Sequence, residues 1–373
     1  MTSDSLAALA GQVLIVGFPA GPLPDSLVGL ARRDAIGGFI LFRRNLVSAA
    51  TGQLSLAEIA AQHAALIGAC TGPLAPVIAI DQEGGRVARL KAPVLELPPM
   101  RVLGALDDSE LTFRAGRALG GQLKALGVSL DFAPVLDVDS NPANPVIGDR
   151  SFGADPEQVA RHGASFARGL QAAGVAACGK HFPGHGDTEL DSHLALPRVA
   201  HSRDRLDAIE LRPFALAHEA CASIMTAHVV FDAIDPDRPA TLAPRALEIL
   251  REQLGYRGLI VSDDLEMRAI ADHHGVGEAA CGAIGSGCDA LLVCSKPELA
   301  LEAHEALLAR ASRDGSFRAR LAEAARRCNE LRATYRAEPC APERVEQLFR
   351  SGALHEEAQA VAEHLERARS GHV

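Results

Sequence analysis

The sequence has no apolar run approaching the 18 or more residues of a membrane span, which removes a transmembrane helix from the reading. It has no excess of basic residues. Its 37 Lys and Arg face 47 Asp and Glu, a formal charge of −10, and that balance argues against a nucleic-acid or anionic-membrane partner. The opening stretch MTSDSLAALAGQVLIVGF lacks a basic region and a small-residue cleavage site, so no secretory signal is expected and a cytoplasmic location is. The eight cysteines form neither CxxC zinc pairs nor a compact secreted scaffold. Most sit in apolar surroundings, such as Cys294 in ALLVC, and read as buried reduced thiols. GxGxxG and GxxxxGK[ST] loops are also missing, so nothing favours a doubly wound nucleotide-binding sheet.

What is present is a chain of 373 residues, 48% hydrophobic, long enough to bury a substantial core. Short β-branched runs alternate with longer segments of helical spacing. The runs predict strands at Gln12–Phe18, Gly37–Phe42, Pro76–Asp81, Ser129–Pro134, Val175–His181, Ser223–His228, Gly258–Asp263 and Ala290–Val293. Continuous apolar runs suit parallel strands covered on both faces. Between them, Asp155-Pro156 supplies an N-cap and a first-turn proline, and Gly174 is placed to end the helix. Further helices are predicted at Glu110–Leu126, at Pro244–Leu254 stopping at Gly255, and over 300–335 with Ser316 as cap. Repeated strand-helix order implies right-handed βαβ units. The expected fold class is α/β, a TIM-type (β/α)8 barrel, with a doubly wound open sheet left open by pattern alone. One catalytic domain over 1–335 is expected, followed by a linker and one amphipathic C-terminal helix over 336–373, packed on the barrel.

In such a barrel, chemistry sits where strands end. The third run closes on Asp81 in IAIDQEGGR, and the fifth on Lys180 and His181 in GKHFPGHGD. The sixth closes on His228, and the seventh on Asp263 and Asp264 in LIVSDD. A single Asp capping a strand is ordinary turn chemistry; polar groups converging from four strands are not. The richest segment is KHFPGHGDTELDSH at 180–193, whose glycines predict a loop folded over the barrel mouth. Asp191 and His193 fit a dyad in which a carboxylate orients an imidazole and raises its pKa, letting it shuttle a proton near neutrality. His181, His185, Asp187, Asp191 and His193 also include plausible zinc ligands, but they come from one loop without HExxH spacing. Glu83 reads as a loop brace, and Arg150 pairs with Asp149 or Asp139 if it is only structural.

These motifs resemble the bacterial β-N-acetylhexosaminidases of glycoside hydrolase family 3, the single-domain kind used in peptidoglycan recycling. The resemblance runs over roughly residues 10–300, through GGFILFRRN, IDQEGGRVARL, LPPM, DFAPVLDV, VIGDRSFG, KHFPGHGDTELDSH, ELRPF, TAHVVF, PATL and GLIVSDDLEM, in that order. It implies a TIM-type barrel and a retaining exo-glycosidase acting on terminal β-linked N-acetylglucosamine. It implies Asp263 as nucleophile and Asp191 with His193 as the general acid and base. Asp81, Arg89, Arg150, Lys180 and His181 would hold the terminal sugar. No cofactor and no metal are implied. The partner is a small carbohydrate or muropeptide, and a monomer is expected. A metal-dependent hydrolase, a silent sugar-binding protein and a phosphorolytic variant are the competing readings.

Overall fold

The computed structural model describes residues 3–46, 55–188, 190–192 and 194–369. Eight strands close a barrel: β1 (Leu14–Val16), β2 (Gly38–Leu41), β3 (Val77–Ile80), β4 (Leu130–Asp131), β5 (Ala176–Phe182), β6 (Ser223–Thr226), β7 (Leu259–Asp264) and β8 (Ala290–Val293). Each strand pairs in parallel with its neighbours in sequence, and β8 closes the ring by pairing Leu14 with Leu291 and Val16 with Val293. The expected barrel is thus present, and the open sheet is excluded by the β1–β8 pairing.

Strands lie where the β-branched runs lie, but are shorter at their ends. The run Ser129–Pro134 yields only Leu130–Asp131 as regular strand, although Ala133 and Pro134 still accept from the Cys178 and Lys180 amides of β5 at 2.8 and 3.1 Å. The residues of β1, β2, β3 and β8 are buried throughout, as parallel strands under helices must be. Helix Ser109–Ala125 starts at Asp108, whose carboxylate accepts from the Leu111 amide at 2.9 Å. Helix Pro156–Ala172 starts at Asp155, as expected, and Gly174 follows it with φ +86°.

Three local expectations are corrected. Pro244–Leu254 is not one α-helix: Pro244–Glu248 is α-helical and Ile249–Gln253 continues as a π-helical turn. Residues 300–335 form two helices, Pro297–Arg313 and Gly315–Thr334. The second is capped by Asp314, not Ser316. The Asp314 carboxylate accepts from the amides of Ser316 and Phe317 and from the Ser316 hydroxyl, so Ser316 is a donor to the cap. The C-terminal segment is likewise two helices, Pro342–Arg350 and Ala353–Arg369, broken where Gly352 takes φ +88°. That segment is tied to helix Ser109–Ala125 by the Cys340 amide on the Ala125 carbonyl (3.0 Å) and by Arg117 with Glu357 (2.5 Å). Among the described residues no helix is long and apolar enough to cross a membrane.

Candidate active site

The strand ends converge on one cavity of ≈ 220 Å³, lined among others by Asp81, Glu83, Arg89, Arg150, Lys180, His181, His185, Ser192, Asp263 and Asp264. That is below the roughly 300–1,000 Å³ of sites for drug-sized ligands, so it suits one small unit. Asp81 follows β3, Lys180 and His181 lie in β5, and Asp263 and Asp264 end β7. Five of the predicted residues, Asp81, Arg89, Arg150, Lys180 and His181, share this cavity with Asp263.

Its charges are paired from opposite walls. Lys180, only 2% exposed, places Nζ 3.0 Å from Asp81 and 2.6 Å from Glu83. Arg89 donates to the other Asp81 oxygen at 3.0 Å. Arg150 grips Glu83 through Nε (2.9 Å) and Nη2 (2.8 Å), a bidentate pair. Burial alone would raise the Asp81 and Glu83 carboxyls. The cations beside them win, Lys180 and Arg89 holding Asp81 well below its usual range and Arg150 with Lys180 holding Glu83 at about 2. Burial would lower Lys180, but Glu83 and Asp81 hold it raised. Both carboxylates and the ammonium therefore remain charged at neutral pH, ready to accept from and donate to hydroxyls. The loop-brace reading of Glu83 understates it, since the residue lines the cavity and neutralises two of its cations. Arg150 pairs with neither Asp149 nor Asp139, which are taken by Arg86 (3.5 Å) and by Arg101.

One residue was not singled out from the sequence. Asp137, in DFAPVLDV, is fully buried and accepts from the amides of His181 (3.1 Å) and His185 (2.7 Å) and meets His181 Nδ1 at 2.7 Å. Burial would raise its carboxyl; His181 and the hydrogen bonds hold it lowered. Engaging Nδ1 of His181 leaves Nε2 as the nitrogen that can meet a ligand. The signal was an acidic residue inside an apolar run, which has no place in a core without donors. The Lys180–His181 peptide between these partners is cis.

Beside Asp263, the Asp264 amide donates to Asp263 Oδ1 at 2.8 Å. The Asp264 carboxyl is raised to about 7, by burial first and then by the charges of Glu266 and Asp263, against amide bonds from Glu266 and Cys294. His228 lies behind this pair, with Nε2 2.9 Å from the Asp264 carbonyl oxygen and Nδ1 2.7 Å from Thr241 Oγ1. Nε2 thus meets the β7 terminus and Nδ1 the Ala240–Leu242 turn, contacts that fit the loop-stabilising reading.

The loop after β5 folds back over the mouth. At Gly186 a Cβ would meet the Val138 carbonyl oxygen at 1.7 Å, so only glycine lets the loop lie this close. Asn144 sits beneath, its Nδ2 within 2.9–3.1 Å of the carbonyl oxygens of His185, Gly186 and Thr188. Asp191 is half-buried further along, and exposed Leu190 and Leu194 flank it. His193, the expected imidazole of the dyad, lies outside the described residues.

The expected zinc-ligand alternative does not assemble among the described residues. His181 is held by Asp137, and His185 by Thr188 and Ser192. The one group of possible ligands there is Asp187, His201 and Glu210, their donor atoms within 4.8 Å of one another. Arg205 lies 3.2 Å from Glu210 and 3.8 Å from Asp187, so a cation of the chain already stands between the two carboxylates.

The closed parallel barrel, with paired carboxylates, cations and a β7 aspartate around one small mouth, is a TIM-type barrel with a charged site at the strand ends. Residues 24–331 match the glycosyl hydrolase family 3 N-terminal domain, and the chain belongs to that family. A β-hexosaminidase of Neisseria meningitidis serogroup C is 41% identical over 280 residues, covering 73% of this chain and 74% of its own length. One from Pseudomonas aeruginosa LESB58 is 41% identical over 286 residues, 74% of this chain and 82% of its own. Among solved structures, native NagZ of Neisseria gonorrhoeae superposes with a TM-score of 0.78 at 34% identity, covering 95% of this chain and 97% of that one. The β-N-acetylglucosaminidase of Paenibacillus sp. FPU-7 gives 0.83 at 39% identity, covering 96% and 68%. The family, the glycoside hydrolase class and the barrel expected from the motifs are thereby borne out.

Proposed function

We propose that this β-hexosaminidase is a retaining exo-β-N-acetylglucosaminidase. It removes terminal β-linked N-acetylglucosamine from fragments in which that sugar is joined to anhydro-N-acetylmuramic acid, as a cytoplasmic monomer. The observation that supports this best is Asp263 in a small cavity whose other walls carry the Asp81–Lys180–Glu83–Arg150 charge set. A cavity of that size takes one terminal ring, which favours an exo mode. Asp81 and Lys180 would accept from and donate to its hydroxyls, with Arg89, Arg150 and His181 completing the hold.

Asp263 attacks the anomeric carbon. The bond to the glycosidic oxygen breaks, that oxygen takes a proton from His193, and a covalent glycosyl-enzyme forms. Water then attacks the same carbon, gives a proton back to His193 and releases Asp263, so two inversions retain the configuration. Asp191 orients His193 and favours its protonated form. The amide of Asp264 on Asp263 Oδ1 holds the carboxylate and tempers its charge. Asp264 itself, raised to about 7, adds little negative charge beside it below neutrality.

The test is hydrolysis of aryl β-N-acetylglucosaminides by wild type and Asp263→Asn, with the product anomer followed by proton NMR. The expected outcome is β-N-acetylglucosamine from wild type and a loss on the order of a thousandfold or more in the variant. An α-anomer product, or near-normal turnover by a folded Asp263→Asn, overturns the proposal.

A further inference from the structure

Of the histidines in the loop motif, His185 has no part in the two steps above, yet it is 2% exposed and lines the same cavity. A buried imidazole needs two partners, and this one has them in its own loop. Nδ1 lies 2.9 Å from Thr188 Oγ1, and Nε2 lies 2.9 Å from the hydroxyl of Ser192. Burial, together with the charge of His181, lowers His185 to about 4, so it is neutral in the working range. A neutral imidazole has one donor and one acceptor, which two hydroxyls satisfy whichever nitrogen holds the proton. Its base is fixed as well, since its amide is bound by Asp137 and its carbonyl by Asn144.

Ser192 stands between Asp191 and His193. Its hydroxyl is held from inside by His185, and its carbonyl oxygen accepts from the Ala269 amide at 3.3 Å, at the start of helix Arg268–Ala271 that follows β7. The carbonyl bond orients the peptide that follows Ser192, the hydroxyl bond fixes its side chain, and the Asp191 carbonyl before it accepts from the Leu194 and Ala195 amides at 2.9 and 3.0 Å. We propose that His185 is a positioning residue that latches the acid–base segment through Ser192, setting where Asp191 and His193 stand relative to Asp263. This rests on the proposed function for its kinetic consequence, but the hydrogen bond and its effect on the loop do not.

A latch of this kind acts on proton transfer and leaves the nucleophile in place. Its loss must therefore show most where the departing oxygen needs a proton most. The experiment compares wild type, His185→Ala, Ser192→Ala and the double variant on aryl β-N-acetylglucosaminides of graded leaving-group acidity. Amide hydrogen exchange over residues 186–192 is measured in parallel. The expected result is a loss of about ten- to a hundredfold in kcat with poor leaving groups and under about threefold with a dinitrophenyl group. Ser192→Ala should reproduce most of the His185→Ala effect, and the double variant should lose no more than the worse single one. Exchange over the loop should quicken about tenfold in all three. A uniform loss across leaving groups, additive losses, or an unaltered Ser192→Ala enzyme overturns the latch. If wild type turns over none of these substrates, the functional reading has failed instead. The latch then stands or falls on the exchange rates alone, and unchanged exchange in both single variants overturns it.

Discussion

Lys180 is a buried ammonium, and Asp81 and Glu83 are the two carboxylates that make its charge tolerable. Buried ion pairs of this kind add little net stability over apolar packing, because desolvation offsets the attraction. Removing one member is different, since the others are left charged and unpaired. Glu83→Gln would leave Lys180 leaning on Asp81 alone and strip Arg150 of its carboxylate. The expected effect is a destabilisation of about 3 kcal/mol, read as a lowered urea midpoint, with a raised KM in whatever activity remains. A change under about 1 kcal/mol would mean that Arg150 and Lys180 find other partners. At this scale the sequence was informative about residue identity and weak on pairing. Asp81, Arg89, Arg150, Lys180 and His181 were each legible from motif and strand position. That Arg150 chooses Glu83, 67 positions away, over adjacent Asp149 was not. Sequence neighbours share a loop but not a direction, and β3 and the 148–150 turn meet only when the barrel closes.

Secondary-structure elements were legible where a local rule decides and misread where two rules compete. Asp155-Pro156 and Gly174 bound their helix as read, because N-capping, fixed proline φ and positive φ each act within a few residues. Around 314–316 two cap-forming side chains stand close together. Asp314 prevails, being the earlier one and accepting from two amides at once. Asp314→Ala is therefore expected to lower Tm by roughly 1–3 °C, and Ser316→Ala by less, with kcat unchanged in both. Equal shifts from the two variants would return the cap to Ser316. Gly352 was passed over by the amphipathic pattern of the tail, which continues on both sides of the break.

The molecule as a whole carries a buried acid, the first residue of DFAPVLDV, to which the sequence reading gave no role. Asp131 closes β4 with one oxygen on the Gln82 amide at 2.9 Å and the other without a hydrogen-bond partner. Burial, with the nearby charges of Asp81 and Glu83, raises it to about 8 against the Gln82 amide and Lys180. Between about pH 4 and pH 8 the folded state keeps a proton that the unfolded state has released, so stability falls as pH rises. The slope is at most about 1.4 kcal/mol per pH unit and vanishes above the folded pKa. Asp81 and Glu83 act oppositely. Their lowered values stabilise above about pH 4, and that contribution is lost only in acid, outside this window. Asp131→Asn lacks the falling slope. Urea unfolding at pH 5.5 and 8.5 should show the variant gaining on wild type as pH rises. A constant difference between the two would mean that Asp131 is ionised throughout.

The sequence by itself determined the α/β class, the strand-end residues and the family, because apolar periodicity, turn chemistry and motif order are properties of neighbours along the chain. Closure of the sheet was decided by the β1–β8 pairing. Tertiary structure alone decided the pairings across the mouth: Lys180 between Asp81 and Glu83, Asp137 beneath His181, and His185 on Ser192. A hydrogen bond is set by direction and distance in space. Those exist only once eight strands have closed and the loop after β5 has been pressed against the wall from which Asp137 projects.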